Sequence, residues 1–166
     1  MKLHTAYLGF GSNIGDREGT IRAAAALLAE RGVAVHRMSG LYETAPMGDT
    51  DQPWFLNAAA EAITALPPGE LLQALLAVER ALGRDRTSPA FRPGGPRSID
   101  LDLLLYGSRR LLEEGLEVPH PRLHQRRFVL VPLAEIAPGF IHPVLQRPVA
   151  ELLETCPDRS EVRSHR

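Results

Sequence analysis

The chain has 166 residues, a formal net charge of −1, 44% hydrophobic and 23% charged residues. These values fit one globular domain whose core needs no staples, and they exclude a global field that would draw it to nucleic acid or a membrane surface. The single cysteine, Cys156, excludes an internal disulfide framework, no signal-peptide pattern is read, and no apolar run approaches the ~20 residues that span a bilayer, so a cytoplasmic protein is expected.

Residues 5–10 (TAYLGF) predict a short strand, and Gly9, Gly11 and Gly15 let a turn pass close to another backbone or a ligand. The G-x-G lacks the rest of either nucleotide fingerprint, which argues against a phosphate cradle. Asp16 caps a helix running to about residue 31, with Ile21, Ala24, Ala25 and Leu28 as its apolar stripe and Gly32 as its stop. Residues 33–42 read as a strand. Residues 43–53 form a loop long enough to suggest a function. In residues 54–64 (WFLNAAAEAIT) the alanines suit a helix, but the aromatics and the alternation of Phe55, Asn57, Ala59 and Glu61 favour a strand. Asn57 beside Phe55 sets an amide next to an aromatic face, a pattern that an ordinary core aromatic with a satisfied polar neighbour also produces.

Pro67 and Pro68 open a second helix, buried along Leu71, Leu72, Leu75, Val78 and Leu82 and ended by Gly83. Residues 84–97 are rich in arginine, proline and glycine. The strand at residues 99–105 follows at once. Side chains two apart share a face, so Asp100 and Asp102 point one way and Ile99, Leu101 and Leu103 the other. Adjacent carboxylates repel, and a hard divalent cation such as Mg²⁺ relieves them, together with phosphates. By the same repulsion, removing either aspartate is expected to cost the metal-free fold nothing. The alternative is that the pair lines the solvent face of an edge strand. The arginines around it favour a polyphosphate–metal site, with Arg97 adding a fixed charge.

Farther on, residues 118–121 form a rigid extended segment, residues 122–127 are polar and basic, and residues 128–136 are a short apolar helix. His120, His124 and His142 lack zinc spacing. One short helix follows Pro148, and the chain is expected to fray from Asp158. The expectation is one domain over residues 1–158 with a frayed tail at 159–166. Its order is β-α-β-β-α-β with small C-terminal helices: an α/β (α+β) ferredoxin-like βαββαβ sandwich with helices on one face and the chemistry on the opposite face or the loops at its edge.

Five segments then carry a resemblance: Gly11-Ser12-Asn13-Ile14-Gly15; Tyr42-x-Thr44-x-Pro46-x-Gly48; Asp51-Gln52-Pro53-x-Phe55-Leu56-Asn57-Ala58; Gly95-Pro96-Arg97-x-x-Asp100-Leu101-Asp102-Leu103; and Val118-Pro119-His120 with Arg126-x-Phe128. In this order they resemble the 6-hydroxymethyl-7,8-dihydropterin pyrophosphokinases, which move diphosphate from ATP to a pterin alcohol in folate biosynthesis. The resemblance implies that Asp100 and Asp102 hold two Mg²⁺, that Arg84 and Arg97 act with them in catalysis, and that Arg86, Leu103, His120 and Arg126 bind ATP. It also implies that Thr44, Met47 and Asn57 hold the pterin edge and that Phe55 and Phe128 sandwich its ring. A monomer with ATP and the pterin as its partners is expected. The chain departs from the family pattern at Gly94, where a tryptophan is usual, and Phe91 is the candidate replacement. Two alternatives are a ferredoxin-like module that only binds a nucleotide or RNA, and a kinase transferring only the γ-phosphate.

Overall fold

The computed structural model describes residues 2–46, 51–84 and 97–165. Strand β1 (His4–Ser12) leads into helix α1 (Arg17–Glu30), followed by β2 (Val33–Met38), β3 (Tyr42–Thr44) and β4 (Phe55–Thr64). Helix α2 (Pro68–Ala81) and strand β5 (Asp100–Tyr106) come next. Then follow a hairpin of β6 (Leu111–Glu113) and β7 (Leu116–Val118), a 3₁₀ turn at Leu123–Gln125, helices α3 (Arg127–Ile136) and α4 (Val149–Glu154), and β8 (Val162–Ser164). The main sheet is antiparallel in the order β5-β1-β4-β3-β8, with β2 also paired to β4. With β2 and β3 counted as two halves of one strand, this is the ferredoxin-like arrangement expected from the element order.

Local chemistry explains the elements that frame the open face. The Asp16 carboxylate accepts the Gly19 N–H at 3.0 Å and caps α1. Leu8, Phe10, Leu56, Ala58, Leu101 and Leu103 point from the sheet into a core shared with Ile21, Leu28, Leu71, Leu75 and Val78 of α1 and α2. The small alanines of β4 let these helices lie close to the sheet. On the other face, Tyr7, Ala59 and Leu104 pack against Val129, Leu130 and Leu133 of α3 and Val149 and Leu152 of α4. Helices therefore lie on both faces, not on one as expected, because the apolar sides of α3 and α4 cover Tyr7, Ala59 and Leu104 on the second face. Among the described residues, the end of the second face near Asn57 and Asp100 stays open.

Three further differences follow. The strand read over residues 33–42 is two strands, because side chains take over part of the ladder between them, although the Ser39 N–H still donates to Ala59 O at 2.8 Å. Ser39 Oγ accepts the Ala59 N–H at 2.9 Å, and the Gly40 N–H turns to the Glu135 carboxylate of α3 at 3.0 Å. The tail is not frayed throughout: Val162–Ser164 pairs with β3, and Asp158 accepts the Arg127 N–H at 3.0 Å at the start of α3. No apolar pattern in SEVRSH announces that strand, since its contacts are polar. The β6–β7 hairpin is the third difference; its turn rests on Gly115, whose φ of 75° suits glycine.

Candidate active site

Gly9 and Gly11 lie within β1, so they form no turn. They are the floor of the site. Gly11 pairs with Asn57 on one side and Asp100 on the other, and Gly9 pairs with Ala59 and Asp102. A Cβ at Gly11 would sit 2.9 Å from Asn57 Oδ1, so the missing side chain is what leaves room for the amide. Above this floor lies a cleft of about 790 Å³, lined by Thr44, Ala45, Phe55, Asn57, Arg97, Asp100, Arg122, Gln125, Arg126 and Phe128. A smaller groove continues along Gly9, Gly11, Asp102, Leu104 and Phe128.

One side of the cleft is amide and aromatic. Asn57 Nδ2 donates to Thr44 Oγ1 at 2.6 Å, both residues being buried. Phe55 is Thr44's partner across the β3–β4 ladder. The Arg97 guanidinium lies 5.2 Å from the centre of the Phe55 ring, and Arg126 lies 5.6 Å from that of Phe128.

The other side is ionic. Asp100 receives Arg84 Nη1 on Oδ1 at 2.5 Å and Arg97 Nη1 on Oδ2 at 3.0 Å. Beneath them Glu79 is 0% exposed, accepts the Leu101 N–H at 2.7 Å and lies 3.8 Å from Arg84. Burial lowers the pKa of Arg126, a shift that the charge of Asp102 opposes. Burial also lowers the pKa of His120 to about 4, helped by the Arg126 charge. The Arg122 N–H donates to His120 Nδ1 at 3.2 Å. The neutral ring therefore carries its proton on Nε2.

Of the residues expected at a site, Thr44, Phe55, Asn57, Arg97, Asp100, Arg126 and Phe128 line the cleft, Asp102 lies in the adjoining groove, and Arg84 reaches Asp100 from behind. Leu103 is corrected as a pocket-lining side chain. It is 6% exposed in the core under α1 and α2, because alternation along β5 turns it away from Asp100 and Asp102. Met47, Arg86 and Phe91 lie outside the described residues. Ala45, Arg122 and Gln125 were missed as lining residues, and Glu79 as a buried support. The polar, basic run at 122–127 was the available signal for Arg122 and Gln125, and the loop at 43–53 for Ala45; nothing local marks Glu79.

Fold and site together set an aromatic and amide slot beside a pair of carboxylates among arginines. The family model described as 7,8-dihydro-6-hydroxymethylpterin-pyrophosphokinase (HPPK) matches residues 7–138. A 2-amino-4-hydroxy-6-hydroxymethyldihydropteridine pyrophosphokinase of Methylorubrum extorquens is 49% identical over 137 residues, 82% of this chain and 84% of the relative. One of Bacillus subtilis is 49% identical over 132 residues, 79% of this chain and 77% of the relative. In structure, an HPPK-DHPS protein in complex with substrates matches at a TM-score of 0.73 and 14% identity over 93% of this chain. The present chain spans 43% of that longer protein, and this likeness speaks for the fold alone.

The chain belongs to the HPPK family. It is a pyrophosphokinase of folate biosynthesis, transferring diphosphate from ATP to 6-hydroxymethyl-7,8-dihydropterin.

Proposed function

We propose that the cleft seats the two substrates side by side. The pterin lies between Phe55 and Phe128 with its pyrimidine edge on Asn57 and Thr44, and the ATP phosphates lie among Arg84, Arg97, Arg126 and His120. The observation that carries this reading is that Asn57 and Asp100 flank Gly11 on neighbouring strands, so a heterocycle-sized slot adjoins an acidic pair under arginines. A carboxamide offers a paired donor and acceptor to a heterocycle edge, and aromatic faces accept a flat ring. Met47 and Arg86 belong to the same reading, one on each substrate. Leu103 can offer the adenine only its main chain.

Asp100 and Asp102, two oxygen-donor carboxylates on one strand face, fit Mg²⁺, and we take two ions to be held there. When bound, these ions neutralise charge on the phosphate oxygens. The pterin hydroxyl oxygen forms a bond to the β-phosphorus of ATP. The bond from that phosphorus to the oxygen linking it to the α-phosphate breaks, AMP leaves, and the hydroxyl proton is released. Arg84 and Arg97, which pair with Asp100, are the groups that meet the phosphate charge, and His120 donates its Nε2–H as a neutral group. Burial of Arg84 and Arg126 strengthens these contacts relative to water.

The test is the nucleotide released when the protein is incubated with Mg-ATP and the reduced pterin alcohol. Pterin-dependent AMP is expected. ADP would mean γ-phosphate transfer, and no pterin-dependent nucleotide would mean a binding module. Among the described residues no helix is long and apolar enough to cross a membrane. We further take the chain to act as a monomer in the cytoplasm, where its buried free Cys156 suits a reducing medium. Size-exclusion mass measurement tests the monomer.

A further inference from the structure

The segment Val162–Ser164 and its neighbour His165 converge on the back of the Thr44–Phe55 rung. Strand β8 pairs residue by residue with β3, setting Val162 opposite Thr44, Arg163 opposite Glu43 and Ser164 opposite Tyr42. The His165 N–H donates to Leu41 O at 2.8 Å, and His165 Nδ1 lies 2.8 Å from Glu43 Oε1. The same carboxylate receives Arg17 Nη2 at 3.1 Å, while Arg17 Nη1 donates to Trp54 O at 3.1 Å. The Arg163 guanidinium covers the Trp54 ring at 4.3 Å and lies 3.9 Å from Glu43 Oε2. His165, then Arg17, hold the Glu43 carboxyl below the usual carboxylate range.

Thr44 follows Glu43, and Phe55 follows Trp54. The cluster therefore grips the residue next to each of two cleft-lining residues. Strand β3 has only three residues, too short to hold its position by one ladder alone. Yet Thr44 Oγ1 must stay 2.6 Å from Asn57 Nδ2 for the amide to keep its direction.

We propose that the segment Val162–Ser164, with His165, is a positioning element for the pterin side of the cleft: by clamping Glu43 and Trp54 from outside, it fixes the Thr44–Phe55 rung that holds the ring. This rests on the reading of Thr44, Phe55 and Asn57 as pterin contacts. A segment that only stabilised the sheet edge would lower the melting temperature and the active fraction but leave both KM values alone. A positioning segment acts on one substrate.

Steady-state KM for the pterin alcohol and for ATP, measured on the full chain with Arg163→Ala and His165→Ala combined, separates these roles. The pterin KM is expected to rise roughly five- to ten-fold, with the ATP KM and kcat within about two-fold, since each tenfold step corresponds to one or two lost polar contacts. Trp54, the only tryptophan, reports undocking by a red-shifted emission. Arg163→Lys with His165→Gln keeps a cation over the indole and a donor for Glu43, and should restore most of the pterin KM. If the double alanine variant does not fold, Glu43→Gln, which leaves the β3–β8 ladder intact, is expected to give the same one-sided rise. An unchanged pterin KM despite a shifted Trp54 spectrum, or equal changes for both substrates, overturns the proposal. Asn57→Ala serves as the control. If it raises the pterin KM and the tail variants do not, this inference alone fails; if it has no effect, the pocket reading fails and takes the inference with it.

Discussion

Replacing Gly11 by alanine adds one methyl group where β1 runs between Asn57 and Asp100. The backbone tolerates the change, because Gly11 is not among the glycines with positive φ. Space does not. The new Cβ meets Asn57 Oδ1 at 2.9 Å, while Phe55 and Asp100 Cβ stand at ordinary distances of 3.7 and 3.8 Å. About half an ångström must therefore be found at a single oxygen, the gap to ordinary contact. If the amide turns, the 2.6 Å bond from Asn57 Nδ2 to Thr44 weakens inside a buried pocket. Leaving such a donor poorly satisfied costs about 1–3 kcal/mol. If instead the strands part, the Gly11–Asn57 pairing resists, and overpacking of this kind costs about 1–3 kcal/mol of fold stability. In the first case the pterin KM rises roughly 5- to 150-fold at about 1.4 kcal/mol per tenfold, with the ATP KM nearly constant. In the second the melting temperature falls by about 2–4 °C per kcal/mol. Steady-state kinetics with each substrate varied, together with thermal melting, tells the two apart. A Gly11→Ala protein with normal pterin KM and normal melting would refute the argument, since it would mean that the Asn57 amide moves at no cost.

Asp102→Ala should reduce AMP formation by about a thousand-fold, the scale of a lost catalytic charge clamp, measured with Mg-ATP and the pterin alcohol. Asp100→Ala should lose as much and also melt earlier, because it strips a counter-charge from Arg84 and Arg97, whose side chains are only 9% and 18% exposed. Phe128→Ala is expected to raise the pterin KM roughly ten-fold while barely altering that of ATP, the scale of one lost stacking face; equal effects on both would argue for general disruption. His120 provides a pH test. Burial and Arg126 lower its pKa from 6.5 unfolded to about 4 folded, so between these values the unfolded chain binds the extra proton. The stability this neutral ring contributes is complete above about pH 6.5 and is lost as pH falls toward 4. Melting temperatures across that window should fall less steeply in His120→Gln than in the parent, and identical slopes would contradict the burial of the ring.

Period-two alternation made the faces of β5 legible: Asp100 and Asp102 share one and Ile99, Leu101 and Leu103 the other. The family resemblance drew Leu103 toward the ligand, and the simpler geometric rule described its side chain correctly. Asn57 beside Phe55 was legible for the same reason. The expectation that losing either aspartate leaves the fold unharmed considered the two carboxylates without the arginines that fold back on Asp100. Strand β8 and the break at Ser39 were hidden because side-chain oxygens and charges hold them. Such contacts leave no hydrophobic period. Arg122 and Gln125 reach the cleft through the turn at Leu123–Gln125, and Glu79 becomes a buried carboxylate only because Leu101 and Arg84 meet it from other elements.

Asn13, at the end of β1, joins segments far apart in the sequence. Its Nδ2 donates to Gln52 Oε1 at 2.8 Å and to Pro53 O at 3.0 Å, its Oδ1 accepts the Arg97 N–H at 2.8 Å, and its own N–H donates to Arg97 O at 3.1 Å. The stem that leads into Phe55 and the stem that leads into Asp100 are thus riveted to one carboxamide. In mechanical terms they form a single bracket: neither can swing alone without breaking a bond at the rivet. With the ladder at Gly11, this joint therefore fixes the spacing between the Phe55 side and the Asp100 side of the cleft. A shorter side chain there, as in Asn13→Ala, would change no cleft-lining side chain but loosen the gauge between the two stems.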